Sequence, residues 1–195
     1  EVDLCGHATL AAASVLFEEF VGAQKTEVRF SSKSGELVAS KDDGMIYLDF
    51  PVDCPTHLEK NSLIPEALGI QPIGYYKGKF DILVEFPTER EIREIDPDYR
   101  LLGRLNSRGL IATAPGVEVD FVSRFFAPQV GIDEDPVTGS AHTTLTPFWS
   151  ERLGKKDLDA QQLSSRGGWL HCKLLSERVL IGGKTARYLS GFLNI

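Results

Sequence analysis

Cys5-Gly6-His7-Ala8 and Thr138-Gly139-Ser140-Ala141 decide the fold, because the two segments read as one element written twice. Each is a glycine turn at the head of a helical stretch. An offset of 133 positions, the separation of His7 from Ser140, superimposes them without a gap. The same offset lays Ser31-Ser32-Lys33-Ser34-Gly35-Glu36-Leu37 on Ser164-Ser165-Arg166-Gly167-Gly168-Trp169-Leu170, and Met45-Ile46-Tyr47-Leu48 on Arg178-Val179-Leu180-Ile181. Three matches at one constant offset imply two similar lobes, each with a glycine-containing turn before a helix. Backbone N–H groups gather at such turns and hold anions.

The duplication also predicts that something precedes the first copy. Strand-like sequence, including residues 118–128, leads into Thr138-Gly139-Ser140, whereas only Glu1-Val2-Asp3-Leu4 leads into Cys5. The expectation is a fragment whose first lobe lacks its leading strands and whatever catalytic group they carry.

Residues 8–20 are rich in Ala and Leu and hold neither Gly nor Pro, which predicts a helix. Its first ten positions are apolar or small on every side, so the pattern predicts a helix buried all round and wrapped in strands. Residues 27–31, 37–39 and 45–50 read as strands, with Asp42-Asp43-Gly44 as a hairpin turn. Residues 58–68 read as a connecting helix. The second lobe follows: strands at 73–76 and 80–86, a helix in two pieces broken at Asp96-Pro97, strands at 109–114 and 117–126, and a helix from Ser140 to Leu153. Pro147 is expected to kink that helix or delay its regular part. Strands at 160–165, 169–175, 179–182 and 186–192 complete the repeat. This divides the chain into residues 1–57, the remainder of the first lobe, and 58–195, the second lobe, whose last strand pairs with the first.

The chain has 195 residues, 42% of them hydrophobic, enough to build a core. Its net charge of -7 argues against non-specific nucleic-acid binding, which needs a basic face. Cys5, Cys54 and Cys172 form an odd set without disulfide spacing and favour a reducing compartment. The apolar run 8–17 is too short to span a bilayer.

Two motifs carry chemistry. In Cys5-Gly6-His7, Gly6 lets the backbone approach a ligand, the helix start favours a carboxylate, and His7 can donate or accept a proton. Asp133-Glu134-Asp135-Pro136-Val137-Thr138-Gly139-Ser140-Ala141-His142 packs carboxylates, hydroxyls and a histidine around one turn. An ordinary helix N-cap would account for Asp135 and Thr138. It would not account for His7 on one turn where the other has Ser140. Two unlike polar tips on like turns suit an asymmetric small molecule held between lobes. A Ser-His-Asp hydrolase fits poorly, since there is no G-x-S-x-G elbow and Ser140 and His142 diverge on a helix. Cys5, His7, Cys54 and His57 lack zinc-site spacing, so no metal site is expected.

Val2-Asp3-Leu4-Cys5-Gly6-His7-Ala8-Thr9-Leu10-Ala11-Ala12-Ala13, Phe121-Val122-Ser123-Arg124-Phe125-Phe126-Ala127-Pro128, the 133–142 segment and Gln162-Leu163-Ser164-Ser165-Arg166-Gly167-Gly168 closely resemble the PhzF-like family of phenazine-biosynthesis isomerases and epimerases, within the diaminopimelate epimerase-like superfamily. The resemblance spans essentially the whole chain. It implies an α+β fold of two pseudo-symmetric lobes, each a curled, barrel-like mixed β-sheet around a central helix, with the active site between them. It further implies a cytoplasmic homodimer that needs no metal or organic cofactor and binds a small carboxylate-bearing metabolite, but neither nucleic acid nor membrane. The best-known family activity shifts a proton and a double bond in a dihydro-hydroxyanthranilate. By this resemblance His7 and Asp135 are the catalytic residues, and Gly6, Gly139 and Ser140 bind substrate. The family's proton-transferring glutamate falls upstream of Glu1, which makes activity of the chain as it stands doubtful. A cysteine-pair racemase is disfavoured, because Cys5 is matched by Thr138, whose hydroxyl is a far weaker acid than a thiol. The alternative is a catalytically silent binding or interaction protein that retains the scaffold.

Overall fold

The computed structural model describes residues 6–22, 25–32 and 35–192. They form two compact units, one running to Leu48 and resuming at Gly182, the other spanning Asp49–Ile181.

In the first unit, helix α1 (Gly6–Val15) runs on through a π-helical turn, Leu16–Phe20. Strands β1 (Glu27–Ser32), β2 (Gly35–Asp42) and β3 (Met45–Pro51) follow. β1 and β2 pair antiparallel, from Glu27 opposite Ser40 to Ser32 opposite Gly35. Alternate residues of β2, Leu37 and Ala39, are buried, as a strand with one covered face requires. The expectation of an α1 buried all round is not met, since within it only Ala13 is buried. Wrapping a helix takes a sheet that curls past it on several sides. Among the described residues of this unit, α1 meets β2, and its Leu10 and Ser14 reach Gly183 and Thr185. Residues 186–192 form no strand either, and Tyr188, Leu189 and Phe192 are exposed there. Among the described residues no strand edge pairs with them. Cys5 and the residues before it lie outside the described residues.

The second unit begins with β4 (Thr56–His57) and helix α2 (Leu63–Leu68). The helix expected from residue 58 starts later. Pro65 has no N–H and is tolerated only in a first turn. Asn61 opens the helix, its carboxamide oxygen accepting from Leu63 N at 3.0 Å. Strands β5 (Gly74–Lys77) and β6 (Ile82–Glu85) precede helices α3 (Glu89–Glu94) and α4 (Tyr99–Leu102). These are the two pieces expected around Pro97. Asp98 caps the second, its Oδ1 accepting from the N–H groups of Arg100 and Leu101 at 2.9 and 3.0 Å. Then come β7 (Leu110–Pro115), β8 (Phe121–Ala127), a 3-10 turn (Pro128–Val130), β9 (Ile132–Glu134), helix α5 (Gly139–Leu153), β10 (Asp157–Gln162), β11 (Gly168–Leu174) and β12 (Arg178–Gly183). The strands order as β12-β11-β10-β8-β7-β6-β5-β4, with β9 on the side of β8. β6–β7 and β8–β10 are parallel and the remaining described pairs antiparallel, so the sheet is mixed and the architecture α+β.

Both faces of this sheet are covered, which explains its nearly continuous apolar strands. Ile82, Val84, Leu110, Ala112, Ala114, Val122 and Phe126 face a core shared with α2, α3 and α4. The residues between them face α5. Trp149 Nε1 donates to Thr113 Oγ1 at 2.9 Å and its ring stacks on Phe121 at 5.9 Å. Phe148 meets Tyr76, and Arg152 reaches Glu85. Strands β5, β6, β7 and β8 thus each touch α5, and nine of its residues, eight of them between Ala141 and Trp149, are buried. Here the curled sheet does enclose a central helix.

Pro147 does not interrupt α5. It removes the N–H that would bond the carbonyl of Thr143, and Asp53 N donates to that carbonyl instead, at 3.1 Å. The Asp53 carboxylate then accepts from Lys79 N at 3.0 Å and from Thr144 Oγ1 at 2.8 Å. The break in the helix ladder is filled by a strand-leaving segment that the helix itself anchors.

The repeat is visible element by element. α1 and α5 begin at Gly6 and Gly139, β2 and β11 at Gly35 and Gly168, and β3 and β12 at Met45 and Arg178, all at the same offset. One expected match is corrected. Ser31 and Ser32 lie on β1, whereas Ser164 and Ser165 lie beyond the end of β10 at Gln162. The second copy has a longer hairpin loop and a shorter helix-to-strand connection, and the two differences cancel. Exposed connections absorb such changes at little cost.

Candidate functional site

The amino end of α5 is built by a clasp of side chains. Gln162 ends β10 on the buried side of a strand whose residues alternate, and it has no exposed surface. Its Oε1 accepts from Thr138 N at 2.8 Å, and its Nε2 donates to the Asp135 carbonyl at 2.7 Å and to Thr138 Oγ1 at 3.2 Å. One carboxamide thereby fixes both ends of the Asp135–Thr138 turn. Ser164 adds a second tie, its Oγ donating to the Pro136 carbonyl at 2.8 Å and accepting from Gly167 N at 3.0 Å.

Thr138 holds the N-cap position but does not cap. Its hydroxyl donates to Asp135 Oδ2 at 2.6 Å, and no side chain of its own satisfies the helix's first N–H groups. The ordinary N-cap explanation of Asp135 and Thr138 therefore fails on geometry. The threonine orients the aspartate, and among the described residues no side chain caps the first turn, whose N–H groups can receive an acceptor. Asp135 is half-buried, with its N–H donating to the Phe125 carbonyl at 3.0 Å.

Ser140, in the first turn, is half-buried. Its Oγ accepts a hydrogen bond from Arg108 Nη2 at 3.0 Å, and its carbonyl accepts from Thr143 Oγ1 at 2.7 Å. Asp135, Gly139 and Ser140 thus lie at one helix end. Gly6 and His7 head α1 in the first unit, with His7 exposed. The clasp residues Gln162 and Thr138, and the Arg108–Asp81 pair behind Ser140, were not singled out from the sequence as site residues.

His142 is the other buried polar group here. Its Nδ1 lies 2.8 Å from the Thr138 carbonyl, so Nδ1 carries the proton and Nε2, which has no partner among the described residues, is a bare acceptor. Burial lowers its pKa to about 4, against the opposing pull of the Thr138 carbonyl. The ring is neutral at pH 7 and is no acid there. The sign of its effect on stability follows from linkage. The folded pKa lies below the ordinary 6.5, so between the two values the unfolded chain binds a proton that the folded chain refuses. The contribution is whole above about pH 6.5 and is lost as pH falls toward about 4. Urea midpoints should fall over this window, and His142→Asn, which keeps a donor toward Thr138, should flatten the slope by up to about 1.4 kcal/mol per pH unit. A variant with an unchanged slope would contradict the neutral assignment.

Cys172 is excluded as a base, since burial pushes its thiol up to about 12. No group of three or more histidine, cysteine or acidic side chains is arranged to hold a metal ion among the described residues. No helix among them is long and apolar enough to cross a membrane.

A side chain at Gly168 would collide with Val137 Cγ2. Val137 is β-branched and sits in the Asp135–Thr138 turn, so it yields only by moving that turn. Gly168→Ala should destabilise the chain by about 1–3 kcal/mol in urea titrations.

Comparison with known proteins agrees with this architecture. The family described as "Phenazine biosynthesis-like protein" matches residues 1–191. An uncharacterized isomerase of Pseudomonas aeruginosa is 46% identical over 195 residues, which is 100% of this chain and 74% of that protein. The crystal structure of a phenazine biosynthesis protein of the PhzF family from Enterococcus faecalis superimposes with a TM-score of 0.90 at 43% identity, over 94% of this chain and 70% of that one. At the level of fold alone, a probable proline racemase from Agrobacterium radiobacter, solved with bound carbonate, matches with a TM-score of 0.60 at 10% identity, over 97% of this chain and 67% of that one. The glycine-headed helices, the mixed sheet curled around α5 and the match along nearly the whole sequence lead to one conclusion: the chain belongs to the phenazine biosynthesis-like, or PhzF, family.

Proposed function

We propose that the protein is an isomerase that moves a proton within a small carboxylate-bearing metabolite, by a double-bond shift or an epimerisation. The observation that carries this reading is the open amino end of α5, where Thr138 orients Asp135 instead of capping the helix. The N–H groups of that first turn and the Ser140 hydroxyl would hold the substrate carboxylate. Asp135 has Oδ2 engaged by Thr138, and its other oxygen, without a hydrogen-bond partner among the described residues, would take or give a proton. His7, beside Gly6 at the equivalent turn of the first repeat, would orient the substrate or relay a proton. The family's glutamate would be the further acid/base. The isomerase names among the relatives and the racemase and epimerase folds among the structural matches support the reaction class. We further propose a cytoplasmic homodimer working without metal or organic cofactor, as the family resemblance implies.

The test is solvent exchange. Protein that includes the family's glutamate-bearing segment is incubated in D2O with a dihydro-hydroxyanthranilate, proline and hydroxyproline, and followed by NMR. Deuterium should enter the carbon that receives the proton in at least one of them. Incorporation into none would contradict the proposed reaction.

A further inference from the structure

Ser140 does not stand alone. Its Oγ is met by Arg108, and Arg108 is held by Asp81 through two hydrogen bonds, Nε to Oδ1 at 2.9 Å and Nη2 to Oδ2. Asp81 is 2% exposed at its side chain and Arg108 31%. The guanidinium also lies over the rings of Phe80 and Phe125, with centroid distances of 5.2 and 5.8 Å. Arg108 N donates to the Phe80 carbonyl at 3.1 Å, and the Asp81 carbonyl accepts from Gly78 N at 2.9 Å, so both ends of the pair are tied to the backbone. Such a guanidinium has little freedom.

Arginine has donors and no acceptor. The Ser140 hydroxyl therefore cannot point its proton at Arg108 and must aim it elsewhere. A hydroxyl that accepts from a cation is also a better donor, because hydrogen bonds in series polarise one another. We infer that Arg108, clamped by Asp81, is a positioning residue that fixes the Ser140 hydroxyl as a donor toward the substrate carboxylate. This rests on the reading of Ser140 given under Proposed function. It adds a role for two residues that lie 27 positions apart and touch each other only through the fold.

The test is a double-mutant cycle read by binding of anthranilate, a stable fluorescent acid carrying the carboxylate and amine of a dihydro-hydroxyanthranilate. Ser140→Ala and Arg108→Met should each weaken binding roughly tenfold. The combined variant should bind no more weakly than Ser140→Ala alone, because Arg108 acts through the hydroxyl. Arg108→Met leaves Asp81 buried and unpaired and is expected to lose stability, so Asp81→Leu with Arg108→Met is the second variant. It should fold with near-normal stability and show the same roughly tenfold loss. Wild-type affinity in either Arg108 variant, or losses that multiply in the combined one, would overturn the positioning role while leaving Ser140 as a ligand group. Unchanged affinity in Ser140→Ala would overturn the hydroxyl's role and the positioning role with it. No anthranilate binding by the unsubstituted chain would overturn the carboxylate site itself.

Discussion

Asp135→Asn is expected to lower turnover by about a hundredfold to ten-thousandfold, the range lost when a positioned acid or base is removed. The asparagine oxygen can still accept from Thr138 Oγ1, and the backbone N–H of residue 135 still reaches the Phe125 carbonyl, so the turn should keep its shape. What disappears is the ability to exchange a proton. Loss of activity with an unchanged urea midpoint is therefore the signature of chemistry and not of folding. His7→Ala should act in the same direction, and through kcat where the imidazole relays a proton or through KM where it only orients. If both variants keep wild-type rates, the roles given to Asp135 and His7 are wrong.

Gln162→Leu should produce the largest loss of stability. The substitution removes three hydrogen bonds at a site with no exposed surface. Thr138 N–H is left without its acceptor, and the Asp135 carbonyl and Thr138 Oγ1 lose a donor. A buried group left unsatisfied costs about 1–3 kcal/mol, so the sum is on the order of 3 kcal/mol or more. Gln162→Glu separates packing from hydrogen bonding. It preserves shape and one acceptor, yet sets a carboxylate oxygen against the Asp135 carbonyl. Both variants should show lowered urea midpoints and weakened anthranilate binding, because the clasp that orders the turn is the one that orients Asp135. Stability within about 0.5 kcal/mol of the parent, the range of an ordinary surface change, would refute the clasp.

Much of this site was legible in the sequence, for a physical reason. Gly139 and Ser140 stand between a run of strand-forming residues and a helix, and a glycine turn there has few alternatives to an anion-receiving helix start. The offset repeat then made Gly6 and His7 their counterparts. Gln162 carries its own signal in the strand pattern. Along β10, Leu158, Ala160 and Gln162 share the buried face, so a polar side chain at an alternate core position called for partners. The Arg108–Asp81 pair carried no local signal, because an ion pair formed between distant segments leaves no periodicity behind. The exposure of α1 was illegible for another reason. Composition states that a helix can be buried, whereas the number of strands around it decides whether it is. The ungapped repeat failed only where a hairpin loop and a helix-to-strand connection changed length in opposite directions, at residues 164 and 165.

The most direct measurement is a crystal structure of the protein with bound anthranilate. The account predicts the ligand carboxylate within hydrogen-bond distance of the Gly139 or Ser140 N–H and of Ser140 Oγ, with the free oxygen of Asp135 facing the ring. A carboxylate seated elsewhere, with the first turn of α5 untouched, would contradict it.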